Sequence, residues 1–153
     1  MQAIELKIPP LAVFLLAAMA MWALARSLPA AGFMLPARLL VLVALVIASG
    51  IVGVAGIIAF RRHETTVDPT RPHKTTSLVV AGIYRRTRNP MYLGLALLLG
   101  AWAAYLANAV ALIVIPAFIV YMNRFQIRPE ERALLENFGA DYRRYMSDVR
   151  RWI

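Results

Sequence analysis

The chain predicts an all-α fold: a polytopic membrane protein of four transmembrane helices, the last two a tight hairpin, with amphipathic C-terminal helices on the cytoplasmic side. Three observations point there. Hydrophobic residues make up 61% of the 153 positions, above the roughly 45–50% of a soluble domain. Only 16% of residues are charged, and they gather at the ends of apolar runs. Those runs are long enough to span, since about 20 residues cross a hydrocarbon core about 30 Å thick. One membrane domain over residues 1–153 accommodates everything. The absence of cysteine excludes disulfides, thiolate metal sites and a cysteine nucleophile. Two histidines, His63 and His73, are too few for a histidine-rich metal centre.

The first span covers about 10–28. Its N-terminal flank carries one Lys, and the segment reads as a retained helix rather than a cleaved signal. The second span covers about 36–60, with Ser49, Gly53 and Gly56 spaced to admit a close neighbour. Residues 91–123 run for about 33 positions without a charge. A single helix of that length would reach about 50 Å, so two short spans, 90–106 and 108–123, turning near Ala107-Asn108, fit better. Pro116 is expected to kink the second of them.

Seven of the 17 basic residues lie in 61–90 and another seven from Arg124 onward, with none at the 107–108 turn. The positive-inside rule then places the 61–89 loop, the 124–153 cap and both termini in the cytoplasm, here of a bacterial inner membrane, with the turn outside. The formal charge of +9 therefore reads as attraction to anionic membrane lipids, with no nucleic-acid partner. The 61–83 segment is polar, with two prolines and five threonines. Its histidines read as loop residues, and its end, "SLVVAGIY", as an extended or interfacial stretch.

Beyond Asn123, "RPEERALLENFG" reads as a helix with Pro129 in its first turn, Leu134, Leu135 and Phe138 on one face, and a Gly139 stop. Tyr142, Tyr145, Val149 and Trp152 come next at helical spacing, arginines opposite. At the start of the third span, "YRRTRNPMYLG" admits two readings. In one, Asn89-Pro90 simply caps a helix and the arginines anchor in headgroups. In the other, folding back the uncharged stretch brings Arg88, Asn89 and Tyr92 against Glu130 and Glu131, forming a site for a zwitterionic ligand at a helix start that already favours anions.

The two stretches together, Gly-x-Tyr then Arg-Asn-Pro-x-Tyr-x-Gly, and Glu-Glu-x-x-Leu-x-x-x-Phe-Gly-x-x-Tyr-x-x-Tyr, resemble the isoprenylcysteine carboxyl methyltransferase and phospholipid methyltransferase family over residues 77–152. The resemblance implies a membrane methyltransferase that uses S-adenosyl-L-methionine and a lipophilic small molecule or lipid as substrate. It implies cofactor contacts from Arg88, Asn89, Pro90, Tyr92, Gly94, Glu130 and Glu131; beside these, Arg124 and Arg128 are our candidate catalytic residues, either of which would hold an anionic acceptor near the sulfonium. Asn89 stands where eukaryotic members carry histidine, and an amide cannot titrate near neutral pH. Both Glu131→Ala and Asn89→Ala are expected to abolish cofactor binding without disturbing folding. A nicotinamide-dependent membrane reductase related to sterol reductases, and a non-catalytic lipid-binding protein, are the competing readings.

Overall fold

The computed structural model describes residues 5–62 and 78–153, with the side chains of Phe60 and Arg62 excluded. The expectations for His63, His73 and most of the 61–83 segment lie outside the described residues. Those described are helical apart from turns, short extended pieces and one antiparallel bridge between Gly32 and Asn108. Among the described residues five α-helices run in order: α1 Pro10–Ser27, α2 Arg38–Arg62, α3 Pro90–Leu106, α4 Val114–Met122 and α5 Arg128–Asp148. Among the described residues, three stretches are long and apolar enough to cross a membrane: Pro10–Ser27, Arg38–Ala59 and the helical run Ala111–Asp148, which is kinked at Gly139. The chain is thus an integral membrane protein. α3, with 17 residues, is apolar but shorter.

α3 is the central helix, packed on α2 along one side and on α1 along the other. The α2–α3 seam is built from small residues. A methyl group on Gly94 would stand 3.3 Å from the Ser49 carbonyl oxygen and 3.5 Å from the Gly53 backbone. The Ser49 hydroxyl donates to the Gly94 carbonyl at 2.8 Å, and Gly56 faces Pro90. Close approach of this kind lets dispersion and short polar bonds hold helices where lipid removes the hydrophobic advantage. The α1–α3 side closes instead on larger residues: Met21, Leu99, Phe118 and Met122 are buried together, and the Trp102 indole N–H donates to the Ala18 carbonyl at 3.0 Å.

The turn expected at Ala107-Asn108 is present. Ala107 closes α3 in the left-handed conformation, at φ 46°, and the buried Asn108 side chain organises the entry to α4. Its Oδ1 accepts from the Val110 and Ala111 amides at 3.1 and 3.2 Å, and its Nδ2 donates to the Leu28 carbonyl at 2.9 Å. The Phe33 and Ala109 amides, bonded to the Ala107 and Ala31 carbonyls, complete a stitch between the α1–α2 loop and the α3–α4 turn. Asn108→Ala is expected to cost about 1–3 kcal/mol in chemical unfolding of the detergent-solubilised protein, the sum of a lost cap and the lost hydrogen bond to the Leu28 carbonyl.

Two expectations for the last apolar run need correction. Pro116 lies near the start of the helical run rather than in its interior: it is the third residue of α4, after a 3-10 turn at Ala111–Ile113, and proline is tolerated in a first turn. Nor does the helix end at Asn123. It passes through a π-helical turn, Asn123–Ile127, directly into α5. Gly139 does act as a stop, but for one residue only: at φ 51° and ψ −115°, accessible to glycine, it divides α5 at a kink. Trp152 is the third correction. The helix ends at Asp148 and Val149 is extended, so Trp152 leaves the tyrosine face and packs against the α1–α3–α4 core. Tyr142, Tyr145 and Val149 stay together, packed with Leu134, Leu135 and Phe138 onto Ala59, Val79 and Tyr84. That cluster seats α5 over the end of α2.

Candidate functional site

The site candidate forms where the start of α3 meets the start of α5. Pro90 occupies the first position of α3, so its missing N–H costs nothing there. Asn89 takes the N-cap position, but its side chain makes no cap hydrogen bond, contrary to the capping expectation. The reason is a competing partner: its Nδ2 donates to the Arg151 carbonyl at 2.9 Å, while its own amide is taken by the Thr87 hydroxyl at 3.2 Å. One hydrogen of the asparagine amide thus holds the C-terminal segment.

Both glutamates lie in the first turn of α5 and face this loop. The Tyr92 hydroxyl donates to Glu130 Oε1. Glu131 has two cations: Arg88 Nη1 lies 3.1 Å from Oε1, and Arg151 grips the carboxylate with both prongs, Nε to Oε1 at 3.0 Å and Nη2 to Oε2 at 2.6 Å. Arg88 and Glu131 are each 11% exposed at the side chain and Arg151 32%, so this triad is mostly removed from water. Such geometry strengthens the pairs and makes each partner costly to remove. The Arg88 Nε is buried without a hydrogen-bond partner among the described residues, leaving a donor available.

The chain end forms a strap across the cluster. The Arg88 amide donates to the Arg150 carbonyl at 3.0 Å, the Thr87 hydroxyl to the Arg151 carbonyl at 3.3 Å, and the Trp152 indole to Asn123 Oδ1 at 3.0 Å. The Tyr145 hydroxyl donates to the Tyr84 carbonyl at 2.7 Å. The π turn contributes from the other side: Gln126 is fully buried and donates to the Ile8 carbonyl at 2.7 Å. Extra backbone in a helix re-aims side chains, and such turns gather at functional places.

Electrostatics separates the two carboxyls. Burial pushes Glu130 up to about 8; the Tyr92 hydrogen bond opposes this, and the nearby Glu131 charge adds to it. The bond to Glu131 raises Arg151 above its ordinary value. Burial likewise lifts Tyr142 to about 12, with Glu131 adding and Arg88 opposing.

Arg88, Asn89, Tyr92, Glu130 and Glu131 are therefore brought together. Pro90 and Gly94 lie beneath them, buried in the seam with α2. Arg124 and Arg128 are exposed, Arg124 with its guanidinium 5.8 Å from the Phe125 ring centre. Sequence reasoning missed Thr87 and Arg151, which lie among other polar residues with no periodicity to single them out. Arg151 is one of two adjacent arginines, and only the turn at Val149 decides which faces inward.

The model of the phospholipid methyltransferase family matches residues 37–141. The chain belongs to that family. The matched span includes α2 through most of α5 and therefore both halves of the polar cluster. An uncharacterized protein of Haemophilus influenzae is 48% identical over 63 residues, which is 41% of this chain and the whole of that protein. No solved structure matches. The family is one of membrane methyltransferases, which favours neither the reductase nor the lipid-binding reading.

Proposed function

We propose that this chain transfers a methyl group from S-adenosylmethionine to a lipophilic acceptor bearing a carboxylate, thiol or amine, in the manner of isoprenylcysteine carboxyl methyltransferases. The supporting observation is the closure of Arg88, Asn89 and Tyr92 onto Glu130 and Glu131 beneath the C-terminal strap. We place this cluster at the cytoplasmic border of a single membrane domain with four spans. In it α3 and α4 make the hairpin, and both termini lie on the cytoplasmic side.

The residues fit the cofactor. Its amino-acid end is zwitterionic, and the cluster offers both signs: an Arg88 Nε with an unused donor, and carboxyls on α5. Arg88, Asn89 and the first amides of α3 are the groups for its carboxylate or ribose. Glu131 is already neutralised by two arginines, so Glu130 is the carboxyl for an ammonium, with Tyr92 beside it. Pro90 and Gly94 set the depth of α3, and with it the positions of these groups. The cofactor supplies an electrophilic methyl whose leaving thioether needs no proton. The protein's task is alignment and exclusion of water, where proximity alone gives large effects. Arg124 and Arg128, exposed beside the cluster, are the groups for an anionic acceptor.

Calorimetry on the detergent-purified protein tests this reading. S-adenosylhomocysteine is expected to bind and NADPH is not. Radiolabelled methyl transfer on native membrane extract should label a lipophilic species. NADPH binding alone would establish the reductase, and binding of neither, with no labelled product, would leave a lipid-binding protein.

A further inference from the structure

At the end of the molecule away from the polar cluster, α1 and α2 splay apart over α3 and leave a groove of about 400 Å³. Its floor includes Trp102 and Tyr105 of α3, and its walls are Phe14 and Ala18 of α1 and Leu42 and Val46 of α2. The lining is almost wholly apolar, and the one indole N–H within it is already bonded to the Ala18 carbonyl.

Helical spacing determines what stands at the mouth. Residues four apart share a face, so the α2 wall formed by Val46 and Leu42 continues to Arg38. The α1 wall formed by Phe14 and Ala18 continues to Trp22. Arg38 is held over this opening rather than turned away, its guanidinium 6.0 Å from the Tyr105 ring centre. Arg26 stands likewise 6.0 Å from the Trp22 ring. One rim after the other thus ends in an aromatic ring with a cation on it. From Val46 to Arg38 the wall rises about 12 Å, so a hydrocarbon chain can lie along it with its headgroup at the arginines.

From this geometry we infer a binding site for an anionic phospholipid, one acyl chain in the groove and the phosphate against Arg38 and Arg26. The groove commits to a chain because nothing polar lines it, and the two cations select an anionic headgroup over a zwitterionic one. This site is separate from the methyl-transfer site: the lipid is held, not methylated, and it belongs to the leaflet opposite the polar cluster.

Quenching of tryptophan fluorescence by brominated lipids tests this on the full-length protein in mixed micelles. Brominated phosphatidylglycerol should quench at about five-fold lower mole fraction than brominated phosphatidylcholine, the preference one arginine near a surface provides. Arg38→Gln should reduce that preference, and Val46→Phe, which fills the groove from an exposed position without adding an indole, should weaken the effect of both lipids. Equal quenching by the two headgroups, or an unchanged preference in Arg38→Gln, overturns the proposal. Protection of Trp102 from both lipids overturns it too, since a second copy of the chain would then fill the groove. Binding of S-adenosylhomocysteine is expected to persist in both variants, so failure here is distinguishable from failure at the methyl-transfer site.

Discussion

Glu131→Ala is expected to abolish S-adenosylhomocysteine binding and, at the same time, to destabilise the protein by about 3–5 kcal/mol. The carboxylate bridges Arg88 and Arg151, and its loss leaves two guanidiniums facing each other in a largely dry place. Removing one partner of a buried ion pair carries a penalty of that size, because the charge left behind has lost both its water and its counter-ion. Chemical unfolding in detergent measures it, and calorimetry on the folded fraction measures the binding. The sequence alone predicts a variant with intact folding. The structure changes that expectation because the strap brings Arg151 onto Glu131.

Two companion variants separate the contributions. Glu131→Gln retains the shape and one acceptor but removes the charge, so it should fold better than the alanine variant and still bind poorly. Asn89→Ala loses one hydrogen bond to the Arg151 carbonyl, worth about 1 kcal/mol, yet it releases the strap from the loop. A large binding defect with a small stability loss is the expected signature. Full binding by Asn89→Ala and Glu131→Gln together would remove the site from this part of the molecule.

Much of this arrangement was legible because few solutions satisfy a bilayer. An uncharged run of 91–123 had to turn somewhere, and Asn108 is the residue in its middle that can both end one helix and start another. Ser49, Gly53 and Gly56 announced a close partner, and α3 is that partner through Gly94 and Pro90. The pairing of the Arg88 region with the α5 glutamates came from folding the run back on itself. Other features were not legible, each for a physical reason. Pattern reading takes a proline as a break, yet Pro116 falls in the first turn of α4, where proline is tolerated. A π turn such as Asn123–Ile127 has no compositional signature. The Arg151 contact depends on where a helix ends, and the periodicity of Tyr142 and Tyr145 continued in sequence to Trp152 although the helix did not.

Glu130 provides the prediction with opposite signs in two measurements. Its carboxyl is raised from the ordinary carboxylate range to about 8, first by burial, so between those limits the folded state holds a proton that the unfolded chain releases. Folding is then favoured by acid. Stability should be highest toward pH 5 and fall as pH rises to about 8, by up to about 1.4 kcal/mol per unit from this one group. A cation seated beside Glu130 favours the ionised form, so affinity for S-adenosylhomocysteine, through its ammonium, should move the other way. It should rise up to about ten-fold per pH unit and level off above pH 8. In Glu130→Gln, which cannot titrate, both slopes should flatten while Tyr92 keeps an acceptor. If affinity in the unmodified protein is flat across this window although stability slopes, Glu130 is a buried acid of the fold and the ammonium lies elsewhere. The paired slopes thus test the assignment of Glu130, rather than the arginine-paired Glu131, as the carboxyl that faces the ligand.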